Sequence, residues 1–142
     1  MPELEIRPVT IGDAAALAPL LEQLGYPATV DEIRARLEGL DATATVLVAS
    51  KTALIGFVAV AITNDFIAGR RATIRGLVVA EGSRGTGFGA ALLAAAERWA
   101  FERGAGSIGV RSNVIRGRAH AFYERNGYRR IKSQHIFDKS LR

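Results

Sequence analysis

Leu77-Val78-Val79, then Arg84-Gly85-Thr86-Gly87-Phe88-Gly89, then Ala90-Ala91-Leu92-Leu93, is the stretch that decides the fold. An apolar run ends, three glycines fall within five residues, and an amphipathic segment opens. The order is therefore strand, loop, helix. A helix start carries backbone N–H groups without intrahelical acceptors, together with the positive end of the helix dipole. Glycines let an anion approach that backbone, and Arg84 adds a charged donor beside it. A pyrophosphate is the natural guest. A bare connecting turn would need fewer glycines. A dinucleotide fingerprint, which Gly85 to Ala90 also fits, needs an acidic residue about 20 positions on. Residues 103–112 hold no acid.

Outward from the loop, the apolar face Leu92, Leu93, Ala96, Trp99 and Ala100 predicts a helix from Gly89 to about Arg103, closed by Gly104 and Gly106. Ile108 to Arg111 predicts a short strand, Arg116 to Asn126 a helix closed by Asn126-Gly127, and Tyr128–Ser133 and Gln134–Lys139 two last strands. Before the loop, Ala72–Val79, Ala53–Thr63 and Thr45–Ser50 predict strands, the last two joined by a tight hairpin at Lys51-Thr52. Thr10 to Asp13 and Thr29 to Glu32 have capping-box spacing and open two helices, the first ending at Gly25-Tyr26-Pro27. Leu4 to Arg7 is the first strand. The order β-α-α-β-β-β-α-β-α-β-β implies one α/β domain over residues 1–142, with a mixed sheet faced by helices.

The 142 residues carry a net charge of +5, with Lys and Arg sparse before Lys51 and denser from Arg70. That sign suits an anionic ligand, a nucleic acid or an acidic surface. No nucleic-acid motif or basic groove with stacking aromatics accompanies it, so no nucleic acid is expected. The absence of cysteine excludes disulfides, Cys-ligated zinc and a thiol nucleophile, and no metal is expected. The acidic start lacks a signal-peptide pattern, and the longest apolar stretch, Ala53–Ile62, is short of the about 20 residues a bilayer requires. A cytoplasmic protein with no membrane partner is the expectation.

Together, Leu77-Val78-Val79, the R-x-x-G-x-G pattern at Arg84, Gly87 and Gly89, and the segment Asn113, Ala119, Phe122-Tyr123-Glu124-Arg125-Asn126-Gly127-Tyr128 resemble the GNAT superfamily of acyl-CoA-dependent N-acetyltransferases. The resemblance implies a splayed, mostly antiparallel mixed sheet of about seven strands with about four helices. It implies acetyl-CoA as donor and a small-molecule or peptide amine as acceptor, and leaves a homodimer open. Main chain at Leu77 and Val79, with Val78 between them, would hold the pantetheine arm, and the Val79 amide would polarise the thioester carbonyl. Arg84, Gly85, Thr86, Gly87, Phe88, Gly89 and Ala90 would hold the pyrophosphate. Asn113 would meet the pantetheine, and Arg116 and Arg118 phosphate. Tyr123 would be the general acid to the leaving thiolate. A phenol, at about pH 10, is a weaker acid than a thiol near 8.5, so the transfer needs help from the site. Tyr123 alone would read as a packed aromatic. Without a cysteine, direct attack in a ternary complex is expected.

One departure stands out. The strand Arg70-Arg71-Ala72-Thr73-Ile74-Arg75-Gly76 holds no carboxylate to serve as base, and Arg75 occupies a position where relatives often carry Glu. The base is left open among Glu81, Asp65, His120 and Glu124. Arg70, Arg71 and Arg75 form either an anionic-acceptor site or a solvated edge, and Glu22 and Asp31 could instead meet a cationic acceptor. A non-catalytic acyl-CoA-binding module and a nucleic-acid-binding domain are the competing readings.

Overall fold

The computed structural model describes residues 3–85, 87–111 and 117–142. These fall into two compact units, Met1–Arg111 and Ser112–Arg142.

In the first unit β1 (Glu5–Pro8) leads through a 3-10 turn (Ile11–Asp13) into α1 (Ala14–Leu24) and α2 (Val30–Glu38). Then come β2 (Ala44–Ser50), β3 (Leu54–Asp65), β4 (Gly69–Val79), a second 3-10 turn (Glu81–Ser83), α3 (Phe88–Glu102) and β5 (Ile108–Val110). Both helix starts rest on the boxes the sequence carries. Glu32 N donates to Thr29 Oγ1 while Thr29 N donates to Glu32 Oε1. At the first start, Thr10 N and Oγ1 both donate to Asp13 Oδ2.

The strands line up in the order β1-β2-β3-β4-β5. The first four are antiparallel neighbours, and β5 joins β4 in parallel over Ala72–Ile74. A connection between parallel neighbours must cross over the sheet, which is the path of α3. The β3–β4 hairpin is long: Asn64, Asp65, Gly69, Arg70 and Arg71 all pair.

Strand alternation sorts the core into two layers. Val48, Phe57 and Val78 face Ala14, Leu17, Leu20 and Ile33 of the first two helices. The opposite face carries α3, where Leu92, Leu93 and Ala96 are fully buried. Gly56 is what lets α3 settle there: a Cβ at this position would lie 2.6 Å from the Val78 carbonyl and 3.1 Å from Leu92 Cδ1.

In the second unit α4 (Gly117–Arg125) ends in a Schellman arrangement. Tyr128 N donates to Tyr123 O and Gly127 N to Glu124 O, with Gly127 at φ 90°.

The sheet departs from expectation in strand number. It has five strands among the described residues, and the two strands expected over Tyr128–Lys139 are not formed, so the order ends at α4. Residues 129–142 are exposed throughout, and the run Arg129, Arg130 and Lys132 interrupts any apolar face. A two-stranded ribbon without a buried face has little to offset its ordering entropy.

Candidate active site

The register of β3 and β4 determines which peptide groups of β4 reach outward. Ala80 N donates to Ile55 O at 2.7 Å, and Gly56 pairs with Val79, Phe57 with Val78 and Val58 with Leu77. Hydrogen-bonded and non-hydrogen-bonded pairs alternate in an antiparallel ladder. Phe57–Val78 is therefore a hydrogen-bonded pair, while the N–H and C=O of Leu77 and Val79 point away from β3, to the side of β5. There the β5 ladder has already stopped opposite Ile74. Among the described residues no strand pairs with Leu77 or Val79 on that side.

Just before Leu77, Ala59 pairs with Gly76 but Val60 pairs with Ile74, leaving Arg75 as the extra residue of a bulge. The bulge raises the local twist and turns Arg75 outward, where it is exposed.

Beyond Val79 the chain passes through Glu81–Ser83 and exposed Arg84 to α3. Gly85 and Gly87 stand at φ 78° and 83°. Gly87 lies directly before the helix, and Ala91 N already donates to Gly87 O, so the amides of Phe88, Gly89 and Ala90 precede the first closed turn of the helix. A left-handed residue followed by a helix start lines up successive N–H groups as an anion nest. Lys51, from the β2–β3 turn, stands 5.3 Å from the Phe88 ring centroid and adds a cation near this end of α3.

Two residues here were not legible in the sequence. Lys51 reads as a turn residue, and nothing local connects it with Phe88. Gln23, near the end of α1, donates from Nε2 to Val79 O at 2.8 Å. A glutamine on a helix gives no signal of a partner 56 residues away.

The expected site residues fall in different parts of the chain. Leu77, Val79, Arg84, Gly85, Gly87, Phe88, Gly89 and Ala90 lie along one continuous path in the first unit. Val78 differs from its neighbours: its peptide groups serve β3 and its side chain is buried under α1 and α2. Thr86, Asn113 and Arg116 lie outside the described residues. Tyr123 belongs to the second unit, where its ring meets Phe122 edge-on at 5.2 Å and Tyr128 at 5.8 Å. The Schellman cap and these ring contacts explain why the FYE and NGY segments occur together: the second holds the backbone and ring of Tyr123.

Of the candidate bases, Asp65 is otherwise engaged. Its Oδ1 accepts from Ile67 N and Ala68 N at 2.6 and 2.9 Å, and these bonds hold its pKa below the ordinary carboxylate value. It also pairs with Gly69, at the far end of β4 from Val79. Glu81 is exposed two residues past Val79, and His120 and Glu124 lie on α4. The arginine cluster divides as well. Arg70 Nε donates to Arg103 O and Arg70 Nη1 to Asn64 Oδ1, tying β4 to the end of α3. An open, largely apolar groove runs elsewhere, along α3 beside Ile6 and Leu47, and neither Leu77 nor Val79 lines it.

Residues 16–128 match the profile of the Acetyltransferase (GNAT) family. The chain belongs to that family, and is thereby an acetyltransferase-family enzyme. Among solved structures it is similar to the aminoglycoside N-acetyltransferase AAC(6')-Iy in complex with CoA, at 18% identity and TM-score 0.87, covering 98% of this chain and 96% of that one. It is similar to a transcriptional regulator from Bacillus halodurans, at 28% identity and TM-score 0.85, over 96% and 100% of the two chains. A ribosomal-protein-alanine N-acetyltransferase from Brucella melitensis matches at 22% identity and TM-score 0.80, over 97% and 100%. No curated protein matches. Among the described residues no helix is long and apolar enough to cross a membrane.

Proposed function

We propose that the protein transfers the acetyl group of acetyl-CoA directly to a primary amine of a small-molecule or peptide acceptor. The observation that carries this reading is the direction of the peptides at the end of β4. Two peptides, at Leu77 and Val79, face outward there, and the chain then leads into a nest of helix-start amides flanked by Arg84 and Lys51. An extended amide-bearing arm followed by a pyrophosphate would match that sequence of donors and acceptors.

In this reading Arg84, Gly85, Gly87, Phe88, Gly89 and Ala90 bind the pyrophosphate, with Thr86 of the same loop. Leu77 and Val79 pair with the pantetheine, and the Val79 N–H polarises the thioester carbonyl. The amine attacks the carbonyl carbon, the C–S bond breaks, and Tyr123 gives its proton to the departing sulfur. Tyr123, Asn113 and Arg116 take their roles from the family pattern alone. The attacking nitrogen, arriving neutral, sheds one proton to Glu81 or through a water relay, and a proton from solvent resets the Tyr123 phenolate. Similar proteins are named for an aminoglycoside and for a ribosomal-protein alanine. Those two amines share no scaffold, so the acceptor is left at the level of a primary amine.

Calorimetry with acetyl-CoA tests the reading. The wild type binds, and Gly87→Glu does not, because a carboxylate and a strained left-handed residue then occupy the nest. Tyr123→Phe keeps the affinity and loses about 10²-fold or more in thiol release with an amine. No binding by folded wild type overturns the proposal. Binding without turnover in either form makes the protein a non-catalytic acyl-CoA binder.

A further inference from the structure

Gln23 sits in the last turn of α1, which is closed by Gly25 N donating to Glu22 O and Tyr26 N to Leu21 O. The helix is held down by buried Leu17 and Leu20. Its end lies close on β4: a Cβ at Gly76 would approach Leu24 Cδ2 to 3.2 Å. From this fixed base the Gln23 amide donates to Val79 O at 2.8 Å. The same Val79–Ala80 peptide is held at its other end, where Ala80 N donates to Ile55 O at 2.7 Å.

The consequence concerns charge at the end of β4. Val79 presents both its N–H and its C=O to the side away from β3. A thioester oxygen gains negative charge as the amine attacks, so the N–H would stabilise it and a bare carbonyl nearby would oppose it. Gln23 occupies that carbonyl with a donor and fixes the peptide plane.

We infer that Gln23 is a positioning residue for acyl transfer, acting through Val79. It covers the Val79 carbonyl and leaves the Val79 N–H as the polar group offered to the thioester. The inference rests on the acetyltransferase reading above.

The test uses Gln23→Met, of similar length without a donor, Gln23→Glu, of the same shape but an acceptor when ionised, and Gln23→Lys, which restores a donor. Thiol release from acetyl-CoA to water is measured without an acceptor, together with the carbonyl stretching frequency of bound, carbonyl-¹³C-labelled acetyl-CoA and the thermal midpoint. Gln23→Met is expected to lose about tenfold in kcat with KM within about twofold, consistent with one lost hydrogen bond. The stretch should move to higher wavenumber. Gln23→Glu should lose more, and Gln23→Lys should recover part of the loss. A purely structural role would lower the midpoint and leave the stretch of the bound fraction unchanged. Wild-type binding with kcat and stretch unaltered in Gln23→Met overturns the role of Gln23 alone. No acetyl-CoA binding by the wild type overturns both readings.

Discussion

Asp13 shows how one side chain can hold a chain turn. Arg7 Nη1 and Nη2 donate to its two oxygens at 2.8 and 3.0 Å, and Thr10 adds its N–H at 2.8 Å and its hydroxyl at 3.1 Å. The Arg7 bonds, outweighing the cost of desolvation and joined by Thr10, lower the Asp13 pKa from 3.8 to about 2, and the same contact raises Arg7. A folded pKa below the unfolded one stabilises the fold above the unfolded pKa. That stability is lost as pH falls through the folded pKa. The window therefore runs from about 4 down to about 2, and the contribution at neutral pH is about 2 kcal/mol. Asp13→Asn should lose about that much in urea unfolding at pH 7, and the gap from wild type should narrow at pH 3. A constant gap would assign the effect to packing. The Thr10–Asp13 spacing was legible as a capping box. The Arg7 fork was not, because it joins the helix start to β1.

At the scale of the element, the glycine loop and the strand end form one feature. Which peptides of β4 face outward depends on parity, and a one-residue change of register would exchange Leu77 and Val79 for Val78. Gly56 defends that register by admitting both Val78 O and Leu92. Gly56→Ala should cost about 1–3 kcal/mol through overpacking, read from the shift of the urea midpoint. It should weaken acetyl-CoA binding as the strand end moves. Full stability in this variant would show that α3 can lift from the sheet without cost. The bulge at Arg75 was invisible in sequence, because a bulge is a relation between two strands. The absent last strands have a similar origin: local β preference in Tyr128–Lys139 had no described partner or buried face behind it.

Across the whole chain, charge is unevenly divided. Only Arg7, Arg34, Arg36 and Lys51 precede Arg70, and the other 15 of the 19 Lys and Arg residues follow from there. A basic second half suits a donor that carries several phosphate charges. Raising salt from 0.05 to 0.5 M (about, respectively, a 14 and a 4 Å screening length) should weaken acetyl-CoA binding severalfold. The loss should shrink in Arg84→Gln. Affinity indifferent to salt would mean that the charge serves something other than the donor.

Much of this architecture was determined by the sequence alone. Capping boxes, the αL glycines before α3, the apolar face of α3 and the cap after Tyr123 act over a few residues, so composition and spacing suffice to specify them. Tertiary structure decided what depends on distant partners: the parity that aims Leu77 and Val79 outward, the Arg75 bulge, the spending of Arg70 on the α3 terminus, and the Gln23–Val79 bond across 56 residues. These arise because a backbone group's direction is set by the strand beside it, and a side chain's partner by how helices settle on the sheet. Neither is encoded in any single stretch of chain.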